Sequence, residues 1–111
     1  MPISLDDMTR HVIGYKTALA AIATDERYSE VFRHGTLNAG IYMPHGVDDQ
    51  DAHDQDEFYV VLTGSGFLVT GEEREPFGPG DLLFVPAGAQ HRFEDFSADF
   101  AVWAIFCDSG V

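Results

Sequence analysis

Asp48, Asp49, Asp51, Asp54, Asp56 and Glu57 crowd six carboxylates into ten residues, with His53 in their midst. No Lys or Arg stands between Arg33 and Arg74 to neutralise them. Carboxylates this close repel one another, so the chain must hold them in solvent and salt, raise their pKa values by burial, or bind a cation. Composition alone describes a solvated acidic loop. Parity describes something more specific: if the segment runs as a strand, Asp51, His53, Gln55, Glu57 and Tyr59 share one face. A polar file pointing into a small β structure needs partners to offset its desolvation, and a divalent metal would serve several of its members at once.

His53 and Glu57 stand at i and i+4, so a helical turn would also place them on one face. Their neighbours favour the strand. Phe58-Tyr59-Val60-Val61-Leu62-Thr63 has strand composition and ends in Gly64-Ser65-Gly66, a hairpin-type turn rather than a helix stop. A His and a Glu on one strand hold a metal only if another strand completes the set. His91 is the obvious supplier, because it follows the turn Pro86-Ala87-Gly88-Ala89-Gln90 and opens His91-Arg92-Phe93.

The elements that must position these residues are legible as periodicities. Leu5, Met8, Val12, Tyr15, Leu19 and Ile22 recur at steps of three and four behind a Ser4-x-x-Asp7 start signal, which predicts one amphipathic helix over about residues 5–24. From Leu37 onward the period is two. Runs rich in Phe, Val, Tyr and Leu at 57–63, 66–70, 82–85, 91–94 and 99–107 are separated by Gly64-Ser65-Gly66, Gly71, Gly78-Pro79-Gly80 and Pro86-Ala87-Gly88. Short strands punctuated by Gly and Pro, with no second helical stretch, predict an antiparallel sandwich or barrel. The length of 111 residues fits one domain, 1–111, without linker or repeat.

The histidine and glycine spacings resemble the two paired motifs of the cupin superfamily. His53, three residues, Glu57, six residues, Gly64 matches the second half of the first motif. Gly80, five residues, Pro86-Ala87-Gly88, two residues, His91 matches the second, with Asp95 where the family pattern has Asn. The resemblance spans about residues 37–107 and implies an all-β, cupin-type jelly-roll β-barrel preceded by one N-terminal α-helix. It also implies that His53, Glu57 and His91 are metal ligands. Where the family's first His would stand this chain has Asp51, so the fourth ligand is Asp51, Gln50, Gln55 or water, with Asp51 first by parity and as an oxygen donor. Two His and a carboxylate with open positions suit iron(II), while zinc, manganese and nickel accept the same donors.

The function this implies is that of a metal-dependent enzyme acting on a small molecule inside the barrel. O2-dependent, dioxygenase-like oxidation is favoured, and isomerisation with Asp51 moving a proton is the variant; Tyr59, on the face of Glu57, is the further catalytic candidate. A non-catalytic ligand- or metal-binding module is the alternative from another class. His45, His11 and His34 read as surface residues, and most of the aromatic residues read as core. Cys107 is the single cysteine, which excludes an internal disulfide, and it lies in an apolar run that reads as core. Six Lys+Arg against nineteen Asp+Glu give a formal charge of -13, which excludes nucleic acid and anionic membrane surfaces as expected partners. No apolar run approaches the roughly 20 residues of a membrane helix and the start has no secretion-signal pattern, so a cytoplasmic protein is expected. Exposed strand edges and the habit of the resembled family predict a homodimer.

Overall fold

The computed structural model describes residues 11–22, 27–46, 48 and 52–108. One short helix, α1 (Tyr15–Ala20), precedes eight strands: β1 (Tyr28–His34), β2 (Leu37–Tyr42), β3 (Asp56–Thr63), β4 (Gly66–Thr70), β5 (Glu73–Phe77), β6 (Leu82–Val85), β7 (His91–Glu94) and β8 (Ala101–Cys107). They form a five-stranded sheet in the order β1-β2-β8-β3-β6 and a three-stranded sheet in the order β5-β4-β7. Every pairing is antiparallel.

The alternation in β3 explains how this architecture is held. Its burial pattern places Glu57, Tyr59 and Val61 inside, while Phe58, Val60 and Leu62 face the other way. Tyr59, Val61, Val85 and Val102 from the larger sheet meet Leu68, Phe77 and Phe93 from the smaller one, and Phe100 plugs the end. The Phe93 ring sits edge-on to Tyr59, Phe77 and Phe100 at centroid distances of 5.1, 5.7 and 4.9 Å. Each such side chain contributes about 1.5–3 kcal/mol by leaving water. On the outer face of the larger sheet, Ala18 of α1 packs on Val31 and Ile41 with Leu19, Ile22 and Trp103 around it. Asn38 to Ile41 of β2 are therefore all buried, the strand being covered on both faces.

Five expectations need correction. The two sheets are separate ladders that do not close into a barrel, because β1 and β6 each end the larger sheet with a single partner. The helix begins only at Tyr15 rather than near residue 5: among the described residues 11–14 none is helical, since Gly14 at the N-cap is extended at φ -73, ψ 133. Residues 5–10 and the Ser4-Asp7 signal lie outside the described residues. The β region starts before Leu37 with β1, whose alternation is broken by an irregularity between Glu30 and Phe32. Strand β5 was also missed, because Glu73-Arg74-Glu75-Pro76 is charged and carries a Pro, which only an edge strand tolerates. Cys107, placed in the core by its apolar run, is only partly buried at the end of β8.

Gly64 closes the β3–β4 turn at φ +84, where a Cβ would lie 2.6 Å from the Phe100 Cα and from the Ser97 Oγ. Backbone on one side and positive φ on the other leave no room to relax. Gly64→Ala is expected to cost about 1–3 kcal/mol in a denaturant melt, whereas Gly71→Ala, where a Cβ meets nothing within 4 Å, pays only for its φ of +58.

Candidate metal centre

Strand β3 delivers Glu57 and Tyr59 to the inner face, and β7 opens with His91 on the facing sheet. His53 comes from the segment just before β3, not from the strand itself. The shared-face reading therefore fails for His53 and Gln55, because the ladder begins only at Asp56. Hydrogen bonds between loops replace the missing ladder: the Gly88 N–H donates to the His53 carbonyl at 2.8 Å, and the Ala87 N–H donates to Asp56 Oδ1 at 2.9 Å. The Pro86-Ala87-Gly88 turn that leads into His91 is thus tied to the segment that carries His53.

The result is a convergent donor set. His53 Nε2 lies 3.5 Å from Glu57 Oε1, His91 Nε2 lies 3.6 Å from Glu57 Oε2, and one donor atom from each of the three residues falls within 4.8 Å of the others. Glu57 is 1% exposed and His91 4%. Tyr59, fully buried, donates its hydroxyl proton to Glu57 Oε2, and its oxygen stands 3.1 Å from His91 Nε2. Burial first, then the Glu57 charge and this hydrogen bond, push the Tyr59 phenol far above its usual range, so it stays a donor.

Two observations test whether a cation fits. His53 Nε2 is buried without a hydrogen-bond partner, packed beside Phe106 at a ring distance of 5.4 Å. His91 Nδ1 lies 3.2 Å from the Ala89 carbonyl, which can only accept, so Nδ1 carries the hydrogen and Nε2 of the neutral ring is bare. Tyr59 has one proton and gives it to Glu57, so it leaves that lone pair unpaired. The unpartnered His53 Nε2, the bare His91 Nε2 and the Glu57 carboxylate converge on one point, which suits a divalent metal.

His53 and Tyr59 line the floor of a cavity of about 530 Å³. Tyr28, Tyr42, Ala104 and Phe106 wall it, and Arg27, Glu30, Arg33, Asn38 and Gln55 complete its lining. Gln55 spends its amide nitrogen on the Thr36 carbonyl at 3.1 Å and Asp108 Oδ1 at 3.3 Å. Asp51 and Gln50 lie outside the described residues. His11, His34 and His45 are exposed. Sequence reasoning missed Asn38, Arg27 and Arg33, because β1 went unrecognised. In sequence Asp48 is only one of the crowded carboxylates; its carboxylate accepts the Tyr42 hydroxyl at 2.6 Å and the Phe93 N–H at 2.7 Å and so ties this part of the chain to β7.

With this geometry in view, likeness to known proteins has a definite meaning. Residues 40–104 match the cupin domain family. The chain is 33% identical over 86 residues to an uncharacterised protein of Streptomyces coelicolor, covering 76% of this chain and 82% of that one. A conserved barrel domain protein of the Cupin 2 type from Salinispora arenicola superposes with a TM-score of 0.70 at 20% identity, over 91% of each chain. A Neisseria meningitidis protein superposes with a TM-score of 0.72 at 19% identity, over 88% of this chain and all of that one. The chain belongs to the cupin family. Among the described residues no helix is long and apolar enough to cross a membrane.

Tyr28, on the cavity wall, is pushed up to about 12, first by burial and then by the charge of Glu30. A phenol whose pKa is raised on folding stabilises fully below its unfolded value of about 10 and loses that contribution as pH rises through the folded value. The unfolding midpoint is expected to fall steeply between pH 10 and 12, and Tyr28→Phe to flatten that fall. Thermal melts over that range check it.

Proposed function

We propose that this cupin holds a divalent metal ion on His53, Glu57 and His91 and engages a small molecule over it in the cavity. The observation that carries the reading is the convergence of His53 Nε2, a buried atom without a hydrogen-bond partner, and His91 Nε2, oriented by the Ala89 carbonyl on Nδ1, on either side of the buried Glu57. In this reading the two sheets are the facing halves of a jelly-roll barrel whose interior is the binding chamber. When bound, iron(II) would supply O2-dependent oxidation of the coordinated molecule, and zinc, manganese or nickel would suit the same donors. The remaining work falls to the chain itself. Tyr59 neutralises one Glu57 oxygen and orients the carboxylate, as partners of metal ligands do. Phe106 and Ala104 keep the floor apolar, and Phe106 fixes the His53 ring. Leu82 and Phe84, 67% and 49% exposed on edge strand β6, support pairing with a second copy.

Metal analysis of purified protein tests the reading. The parent is expected to carry close to one equivalent of one transition metal, with His53→Ala and His91→Ala carrying little. Metal at a hundredfold excess over its dissociation constant should add about 2.7 kcal/mol to the parent's stability and nothing to the variants. No metal after anaerobic reconstitution with each ion would overturn the proposal. Metal bound without O2 consumption across small chelating acids would leave a binding module rather than an oxidase. Tyr59→Phe should weaken metal affinity by about tenfold or more while leaving the stoichiometry at one, read by competition with a chromogenic chelator.

A further inference from the structure

Resting on that metal reading, we propose that Tyr28 is a specificity-determining residue of the cavity: its hydroxyl donates a hydrogen bond to the metal-bound ligand, which selects small molecules carrying a neutral oxygen acceptor, carbonyl or ether, apart from the group on the metal. The seat of the ring is the first argument. A Cβ built on Gly40 would lie 2.3 Å from both Cζ and the hydroxyl oxygen of Tyr28. The far end of the ring therefore rests on the β2 backbone, in space that any side chain at position 40 would fill. Register sets Tyr28 opposite Tyr42, and Gly40 opposite Glu30. The ring thus leans along the sheet, out of its own row and into the next one.

That next row is the second argument. Gly40 pairs with Ala104 and Ala104 with Tyr59, so it runs from the seat of the Tyr28 hydroxyl to the phenol that donates to Glu57. Two inter-strand steps span roughly 10 Å between Cα atoms. The residue between them, Ala104, carries only a methyl group, and it lines the cavity together with Tyr28 and Tyr59. Phe106 closes the side of this gap, edge-on to Tyr28 at 6.3 Å and to His53 at 5.4 Å. A ligand lying over Ala104 has the metal-facing groups at one end and the Tyr28 hydroxyl at the other. Because β1 is an edge strand of the larger sheet, its side chains form the mouth of the cavity, and Tyr28 stands where a ligand enters.

Charge is the third argument, and it chooses the acceptor. Burial first, and then the charges of Glu30 and Glu57 against that of Arg33, hold the Tyr28 phenol at about 12, so the group is a donor at neutral pH. None of the hydrogen bonds formed among the described residues engages that hydroxyl. Glu30 is itself held by Arg33 at 2.7 Å. A second carboxylate brought in on the ligand would meet both glutamates and a chain of formal charge -13, whereas a carbonyl or ether oxygen accepts the proton without that repulsion.

Absorption titrations of cobalt(II)-loaded protein test the proposal, with a hydroxamate as the metal-binding group. Meta- and para-acetylbenzohydroxamate are compared with their isopropyl twins, and methoxyacetohydroxamate with butyrohydroxamate, so that each pair matches in shape and differs in one acceptor oxygen. At least one oxygen-bearing member is expected to bind the parent about fivefold more tightly than its twin. Tyr28→Phe should erase that gap while leaving cobalt stoichiometry and the affinity of the apolar twins unchanged. Gly40→Ala should erase it as well, because the added methyl group displaces the end of the ring and keeps the hydroxyl in the chain. A cobalt spectrum with no gap in any pair, or a gap that survives in Tyr28→Phe, overturns the hydrogen bond and leaves the metal centre standing. A gap lost in Tyr28→Phe but kept in Gly40→Ala supports the hydroxyl and overturns Gly40 as its seat. Failure to bind cobalt overturns the metal centre, and the proposal with it.

Discussion

A carboxylate buried to 1% between two β-sheets is the constraint on which the rest of this molecule turns. Glu57 sits on a strand whose inward neighbours are Tyr59 and Val61, so the register that builds the core also drives an ionisable group into it. Moving the register by one residue would expose Glu57 and bury Phe58, Val60 and Leu62 instead, but it would also expel Tyr59 and Val61 from the core. The hydrophobic pattern therefore enforces the polar burial. Desolvating a carboxylate costs several kcal/mol unless it is compensated, and the compensation available is local: the Tyr59 hydroxyl and the two imidazoles. The pair of rings is insufficient by hydrogen bonding alone, since both lie 3.5 Å or more from the carboxylate oxygens. The geometry of the three groups leaves a point between them where a cation would offset that deficit.

The scaffold around that point works by tying loops rather than by extending strands. His53 comes from the segment before β3 and His91 from the start of β7 on the smaller sheet, and neither is placed by a ladder bond to Glu57. Two bonds from the turn at residues 86–88, to the His53 carbonyl and to Asp56, hold them in one frame. Asp48 adds a third tie, from the acidic segment to β7. The crowded carboxylates thus divide into distinct tasks: Asp48 and Asp56 accept backbone hydrogens, Glu57 faces the histidines, and Asp54 remains at the exposed surface. A run that looks like uniform negative charge in one dimension is sorted by depth in three. Asp95 shows the same economy on the far side, occupying a left-handed turn at φ 50 that short polar side chains tolerate while pairing with Arg74.

What the chain disclosed in advance follows from which interactions are local. Alternation in 57–63, 66–70, 82–85 and 91–94 named four strands to within a residue, because each buries one face and is bounded by Gly or Pro. The three residues of the candidate centre were legible because motif spacing encodes turn lengths. His53 was reached for a partly mistaken reason: its side chain enters through a loop, and the parity that pointed to it belongs to a strand that starts three residues later. Strands β1 and β5 stayed hidden, one because an irregularity breaks its period and the other because it is charged and interrupted by Pro76. The helix was overdrawn because periodicity does not register that Gly14 stays extended. Asn38 could not be singled out, since a lone Asn on a strand acquires meaning only when β1 and β8 are laid on either side of it.

His53 and Tyr59 come from the first motif stretch, whereas much of the remaining lining comes from β1 and β2. Glu57 and Arg33 stand on the same sheet, three strands apart, with Asn38 and Phe106 between them. Because the strand spacing is rigid, the distance from floor to mouth is set by sheet order, and the chemistry at each step along it is set by one side chain.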